Sequence, residues 1–148
     1  MGEYASLVEE IIKAAKEVHS TLGDGFLEQV YEEAMYHELT MRGVPSERQY
    51  NIDVIYKGIV LDKKYTPDLF VAEKVLVEIK SIKDLAIIDE TQLLNYLKIS
   101  NVPIGMLINF GPHLAVQRRI LKDVIGAPTT GTPTDPELLA ARNNPETM

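Results

Sequence analysis

From Leu7 to Val18 the apolar residues Leu7, Val8, Ile11, Ile12, Ala15 and Val18 recur at helical spacing, with Glu9, Glu10, Lys13 and Lys16 between them. That spacing lays one apolar stripe along a helix and predicts a first amphipathic helix. The stretch Thr21-Leu22-Gly23-Asp24-Gly25 breaks the pattern. Gly23 suits the positive φ that follows a helix end, and Asp24 suits the cap of the next helix. Leu27, Val30, Tyr31, Ala34, Met35, Glu38 and Leu39 then keep the helical period up to Met41, and Gly43 and Pro45 stop it.

Strand patterns follow in quick succession at Gln49 to Tyr56, Ile59 to Leu61, Tyr65 to Val71 and Val75 to Ile79. They are separated by Lys57-Gly58, Asp62-Lys63-Lys64 and Glu73-Lys74, which predicts an antiparallel meander of three or four strands. The helical period returns from Asp89 to Ser100 and ends at Asn101-Val102-Pro103. Gly105 to Phe110 is a short apolar run suited to a buried strand that pairs in parallel after a helical crossover. Leu114 to Val124 alternates loosely and fits a strand or a helix equally well. The element order ααβββ(β)αβ describes an α/β fold with a mixed central sheet flanked by helices. From Gly126 onward Pro, Thr and small polar residues dominate, with one short helical stretch at Glu137 to Ala141. The expected division is a domain over residues 1–125 and a flexible tail over 126–148.

A chain of 148 residues suits one hydrophobic core, and 45% hydrophobic with 25% charged residues is an ordinary globular balance. No apolar run approaches the roughly 18 residues a membrane span needs, and the opening MGEYASLVEE carries acids where a signal peptide carries bases. A cytoplasmic protein with no membrane partner is expected. The absence of cysteine excludes disulfides, thiolate nucleophiles and Cys-based zinc sites. A net charge of -7 counts mildly against a nucleic-acid partner, since such binding draws on Lys and Arg. Acids gathered around a metal site blunt that argument, because bound divalent cations become the largest local charges.

The segment from Pro67 to Lys80 sets three charges, Asp68, Glu78 and Lys80, into strands that are otherwise apolar. Side chains alternate along a strand, so Glu78 and Lys80 leave one face while Val77 and Ile79 pack behind them. Antiparallel pairing through the turn at Glu73-Lys74 would bring Asp68 to the same face. Two carboxylates and an amine suit phosphodiester hydrolysis: hard oxygen ligands leave a magnesium ion open positions for water and a phosphate oxygen. The amine adds a positive charge for the phosphate or orients the attacking water.

With Pro67-Asp68 as "PD" and Glu78-Ile79-Lys80 as "EXK", the sequence resembles the PD-(D/E)XK nuclease superfamily. Within it the chain looks like the small prokaryotic group named after the motif GxxExxY, here Gly25-Phe26-Leu27-Glu28-Gln29-Val30-Tyr31. The similarity runs from residue 5 to residue 122 and includes Glu47-Arg48-Gln49 and Gln92-Leu93-Leu94-Asn95-Tyr96-Leu97. It implies a restriction-endonuclease-like core and a metal-dependent nuclease acting on DNA or RNA. It also implies Mg2+, with Mn2+ able to substitute, on Asp68, Glu78 and Glu28. Lys80 would activate or stabilise and Gln92 would position. Tyr31 and Tyr96 stand three and four residues beyond Glu28 and Gln92, on the same helical faces, and are supporting residues.

A bare D…ExK recurs by chance, and a Glu and a Lys two apart on a strand ordinarily mark a solvated edge. The helix Glu, the PD, the EIK inside an apolar run and the later Gln, in that order, lift the nuclease site above this background. His19, His37 and His113 show no metal-ligand spacing and read as surface or satisfied histidines. Tyr50, Tyr56 and Tyr65 are expected to pack the sheet rather than stack on bases. Arg118-Arg119 is the preferred candidate for a phosphate track. The alternative to a nuclease is a non-catalytic module of the same fold that binds nucleic acid or a protein partner. A possible homo-oligomer would pair through an edge at Gln49 to Tyr56.

Overall fold

The computed structural model describes residues 2–121. Two helices, α1 (Gly2–Leu22) and α2 (Glu28–Met41), precede the strands β1 (Ser46–Arg48), β2 (Ile55–Tyr56), β3 (Ile59–Val60), β4 (Leu69–Val71) and β5 (Val75–Lys80). The crossover helix α3 (Ile87–Ser100) leads to β6 (Ile104–Phe110), and β7 (Leu114–Ile120) closes the described chain. A five-stranded sheet has the order β1-β4-β5-β6-β7, and β2 and β3 form a separate two-stranded ribbon. Neighbours run antiparallel except β5 and β6, which are parallel across α3. This is the expected α/β architecture, a mixed sheet between helices.

The two sheet faces bury different partners. Val75, Val77 and Ile79 of β5 join Met106 and Ile108 of β6 beneath Ile11, Ala15, Tyr31 and Met35 of α1 and α2. On the opposite face Leu76 packs with Phe70, Leu97 and Val102. Gly105 lets α3 lie directly on β6: a Cβ there would stand 2.8 Å from Leu93 Cδ1 and from Leu97 Cδ2. Because strand residues alternate, Glu78 and Lys80 must leave β5 on the α3 face, away from the α1–α2 core.

Three local expectations are corrected. Gly23 does take a positive φ of 74°, but α2 is capped at Leu27 with no side-chain cap bond, so Asp24 is not its cap. The stretch Gln49 to Tyr56 is not one strand: Gln49 takes φ 60°, a left-handed kink that turns the chain out of the sheet after Arg48. Ile52 then makes an isolated bridge to Tyr65, and Ile55 and Tyr56 pair only with Val60 and Ile59. Between β4 and β5 the turn residues with positive φ are Ala72 (52°) and Glu73 (56°), closed by Lys74 N–H donating to Val71 O at 2.9 Å. The loop between Val71 and Val75 therefore holds three residues, Ala72 to Lys74, one more than Glu73-Lys74. Of the two conformations open to the segment after Gly111-Pro112, the chain takes the strand, which pairs β6 along its second edge. The expected tail from Gly126, its short helix and the boundary at residue 125 lie outside the described residues.

Candidate active site

The hairpin register decides where the acids meet. Leu69 pairs with Val77, Phe70 with Leu76 and Val71 with Val75, so the next step outward sets Asp68 opposite Glu78. Asp68 is fixed there by the backbone of the facing strand, since Ile79 N–H donates to Asp68 Oδ2 at 2.6 Å. Glu78 is held from the other side by the buried Tyr65, whose hydroxyl donates to Glu78 Oε2. The Tyr65 ring in turn stacks on Tyr96 of α3, with centroids 4.0 Å apart and planes 18° apart.

Charge is costly in this corner. Burial, and then the Asp68 carboxylate, push the Glu78 carboxyl up to about 8, against the opposing help of the Tyr65 hydroxyl and Lys80. Burial also raises Asp68 to about 6, opposed by the Ile79 N–H and reinforced by Glu32 and Glu28. Tyr65 is pushed far above the usual phenol range by burial and by Glu78, so it is a hydrogen-bond donor at any working pH. Burial and Glu78 raise Tyr96 as well.

Lys80 ends β5 on the same face as Glu78, and its Nζ stands 3.7 Å from Asp89 Oδ1. Asp89 lies in the first turn of α3, where its other oxygen accepts the Ala86 N–H at 2.8 Å. The helix start thus carries its own acid and presents it to the amine.

The remaining expected residues separate into groups. Glu28 opens α2, is exposed, and acts on Asp68 through charge. Gln92 is exposed on α3, between Asp89 and Tyr96 at helical spacing. Tyr96 reaches the acids through its stack on Tyr65. Tyr31 does not touch them: its ring stacks on Phe110 at 4.7 Å and its hydroxyl donates to Gly23 O at 2.5 Å. It also accepts the Phe26 N–H at 3.3 Å, so Tyr31 holds the loop that delivers Glu28.

Glu32, Tyr65 and Asp89 escaped the sequence reading. Glu32 is buried on α2 one turn beyond Glu28; its charge helps raise the Asp68 carboxyl, and it accepts from Arg48 Nε at 3.2 Å. Its signal was the i, i+4 spacing from Glu28 on the same face. The phosphate track expected at Arg118-Arg119 is corrected for Arg119, which is buried with Nη2 2.6 Å from Glu90 Oε1. His19 is satisfied, as expected, by donating to Gly111 O at 2.8 Å.

The arrangement fits a hard divalent cation. Its donors are all oxygens, and its two central carboxyls are held side by side at a cost in charge that a dication would reverse. Among the described residues no three His, Cys, Asp or Glu side chains close a cation cage. Magnesium does not require one, since it keeps several waters and takes one or two carboxylates.

The family model of the PD-(D/E)XK nuclease superfamily matches residues 5–121. The chain belongs to the PD-(D/E)XK nuclease superfamily. Nuclease action on nucleic acids with divalent metals is the general chemistry of this superfamily. Among solved structures the chain is similar to one titled "Crystal structure of SSO0001", at 21% identity and a TM-score of 0.49. The match covers 80% of this chain and 60% of the other, so this PD-(D/E)XK chain spans less than two thirds of that protein. No curated protein matches it significantly. No helix among the described residues is long and apolar enough to cross a membrane.

Proposed function

We propose that this protein is a metal-dependent nuclease hydrolysing phosphodiester bonds in DNA or RNA, with its domain over residues 1–125. The observation that carries the proposal is the register setting Asp68 opposite Glu78 with Lys80 two residues on, at the end of one buried strand. Asp68 and Glu78 would hold the metal, Mg2+ with Mn2+ able to substitute, and Glu28 would assist. When bound, the metal polarises the phosphate and makes hydroxide accessible near neutral pH. Tyr65 keeps Glu78 aimed into the site, and the Ile79 N–H does the same for Asp68. Lys80 donates to the scissile phosphate or orients the water whose oxygen attacks phosphorus as the bond to the leaving sugar oxygen breaks. Asp89 keeps that amine from swinging into solvent. Gln92, between Asp89 and Tyr96 at helical spacing on α3, would position substrate. Within the superfamily, the Gly25-to-Tyr31 match to GxxExxY supports membership of that group.

One observation favours a second reading, a fold-retaining module that binds nucleic acid or a protein partner without cutting, as a possible homo-oligomer. The net charge is -7, and Arg42, Arg48, Lys64 and Arg119 are each paired with an acid of the same chain. Labelled single-stranded, double-stranded and branched DNA, and RNA, incubated with Mg2+, Mn2+ or EDTA separate the two. Cleavage that needs metal supports the nuclease and names its polymer; no cleavage of any substrate by folded protein supports the module.

A further inference from the structure

Asn109, Glu32 and Arg119 are the buried polar or charged residues among those described. Glu32 and Arg119 each meet an opposite charge. Asn109 meets backbone instead: its Oδ1 accepts the Ile82 N–H at 3.0 Å and its Nδ2 donates to the Ile82 carbonyl at 3.0 Å. A side-chain amide that satisfies both polar groups of one residue acts as an extra rung of the sheet. That rung lies just beyond the last ladder pair of β5 and β6, Lys80 with Asn109.

Two further contacts hold the same loop. Gly111 lies beneath it so closely that a Cβ there would stand 2.3 Å from Ile82 O and 3.3 Å from Lys83 O. From the other side Ser81 Oγ donates to Phe26 O at 2.7 Å, in the loop that leads into α2 and Glu28. The residues that follow Lys80 are therefore tied both to β6 and to the start of the helix that carries Glu28.

We propose that Asn109 is a positioning residue of the nuclease site: by clamping Ile82 it fixes the strand end that bears Lys80 and, through Ser81, sets that end against the Glu28 helix. This inference rests on the nuclease reading. Lys80 has no ladder pair after it, so without the clamp the strand end frays and the amine loses its place. A misplacement of about 1 Å costs up to roughly a hundredfold in rate. The clamp lies beyond the last β5–β6 ladder pair rather than within the ladder, so its loss should fall on the placement of Lys80 more than on folding.

The test compares wild type with N109L, S81A, G111A and the N109L/G111A double variant, on a labelled oligonucleotide with Mg2+ and by amide hydrogen exchange at Ile82 without metal. N109L should lose about tenfold to a hundredfold in kcat with KM within about twofold, and its Ile82 amide should exchange far faster. G111A disturbs the same loop, so the double variant should be no slower than its slower parent. S81A, at a partly exposed residue, should lose less and keeps the test valid if N109L does not fold. Unchanged kcat in N109L and S81A, multiplying losses in the double variant, or unchanged Ile82 exchange would overturn the proposal. A wild type that cuts nothing contradicts the nuclease reading itself, while Ile82 exchange still reports separately on the clamp.

Discussion

Tyr65 donates its buried hydroxyl to Glu78 from a bridge outside the main sheet, so a residue of one substructure aims the acid of another. Tyr65→Phe keeps the ring and its stack on Tyr96 but leaves one Glu78 oxygen without its donor. We expect metal affinity or cleavage rate to fall about 10- to 100-fold, with a stability loss of about 1 kcal/mol. Metal titration, cleavage rates and thermal melts of the variant check these; unchanged metal affinity together with an unchanged rate in Tyr65→Phe would remove Tyr65 from the site.

The raised acids make the metal-free protein pH-sensitive in a defined direction. Glu78 binds its proton more tightly folded, at about 8, than at its ordinary 4.5, and Asp68 does so at about 6 against 3.8. The native state therefore holds more protons than the unfolded chain between those values, and stability falls as pH rises through them. Melting temperature in EDTA should decline from about pH 5 to about pH 8, and Glu78→Gln should flatten the upper part of that decline. Divalent metal competes with those protons, so added Mg2+ should raise the melting temperature most at the alkaline end. A metal-free melting temperature that climbs over this range would contradict the placement of both carboxyls.

Neighbouring arginines on β7 have opposite fates. Arg119 is buried against Glu90 of α3, whereas Arg118 is exposed. Arg119→Ala strands a half-buried carboxylate and should cost about 3–5 kcal/mol, read by denaturant unfolding. Arg118→Ala should stay within about 0.5 kcal/mol of wild type. If nucleic acid tracks this strand, only Arg118 is available to it.

The hairpin that brings Asp68 to Glu78 was legible because a tight hairpin leaves few registers, and an alternating strand sends Glu78 and Lys80 to one face. The strand ends at Val71 and Val75 leave a three-residue loop, Ala72 to Lys74, and that odd count sets Asp68 opposite Glu78. The ribbon was not legible: Ile55, Tyr56, Ile59 and Val60 read as sheet strands, and only the backbone kink at Gln49 takes them out of the sheet. Tyr65 hid among strand tyrosines, whose ordinary role is packing, because a hydroxyl's partner depends on contacts distant in sequence. Glu32 hid behind Glu28 since helical spacing puts both on one face, and only packing decides which one is buried. Asp24 looked like a cap because its residue type suits one, while the chain turns at Gly23 and Gly25 and reaches an extended Leu27 before α2 begins.

The most direct test of the central claim sets wild type beside Asp68→Ala and Lys80→Ala, with folding verified by circular dichroism, on a polymer that the wild type cuts with Mg2+. Both side chains are only partly buried, so both variants should fold. The site described here predicts metal-dependent cleavage by wild type and none by either variant. Cleavage at the wild-type rate in both would place the chemistry elsewhere and contradict the account.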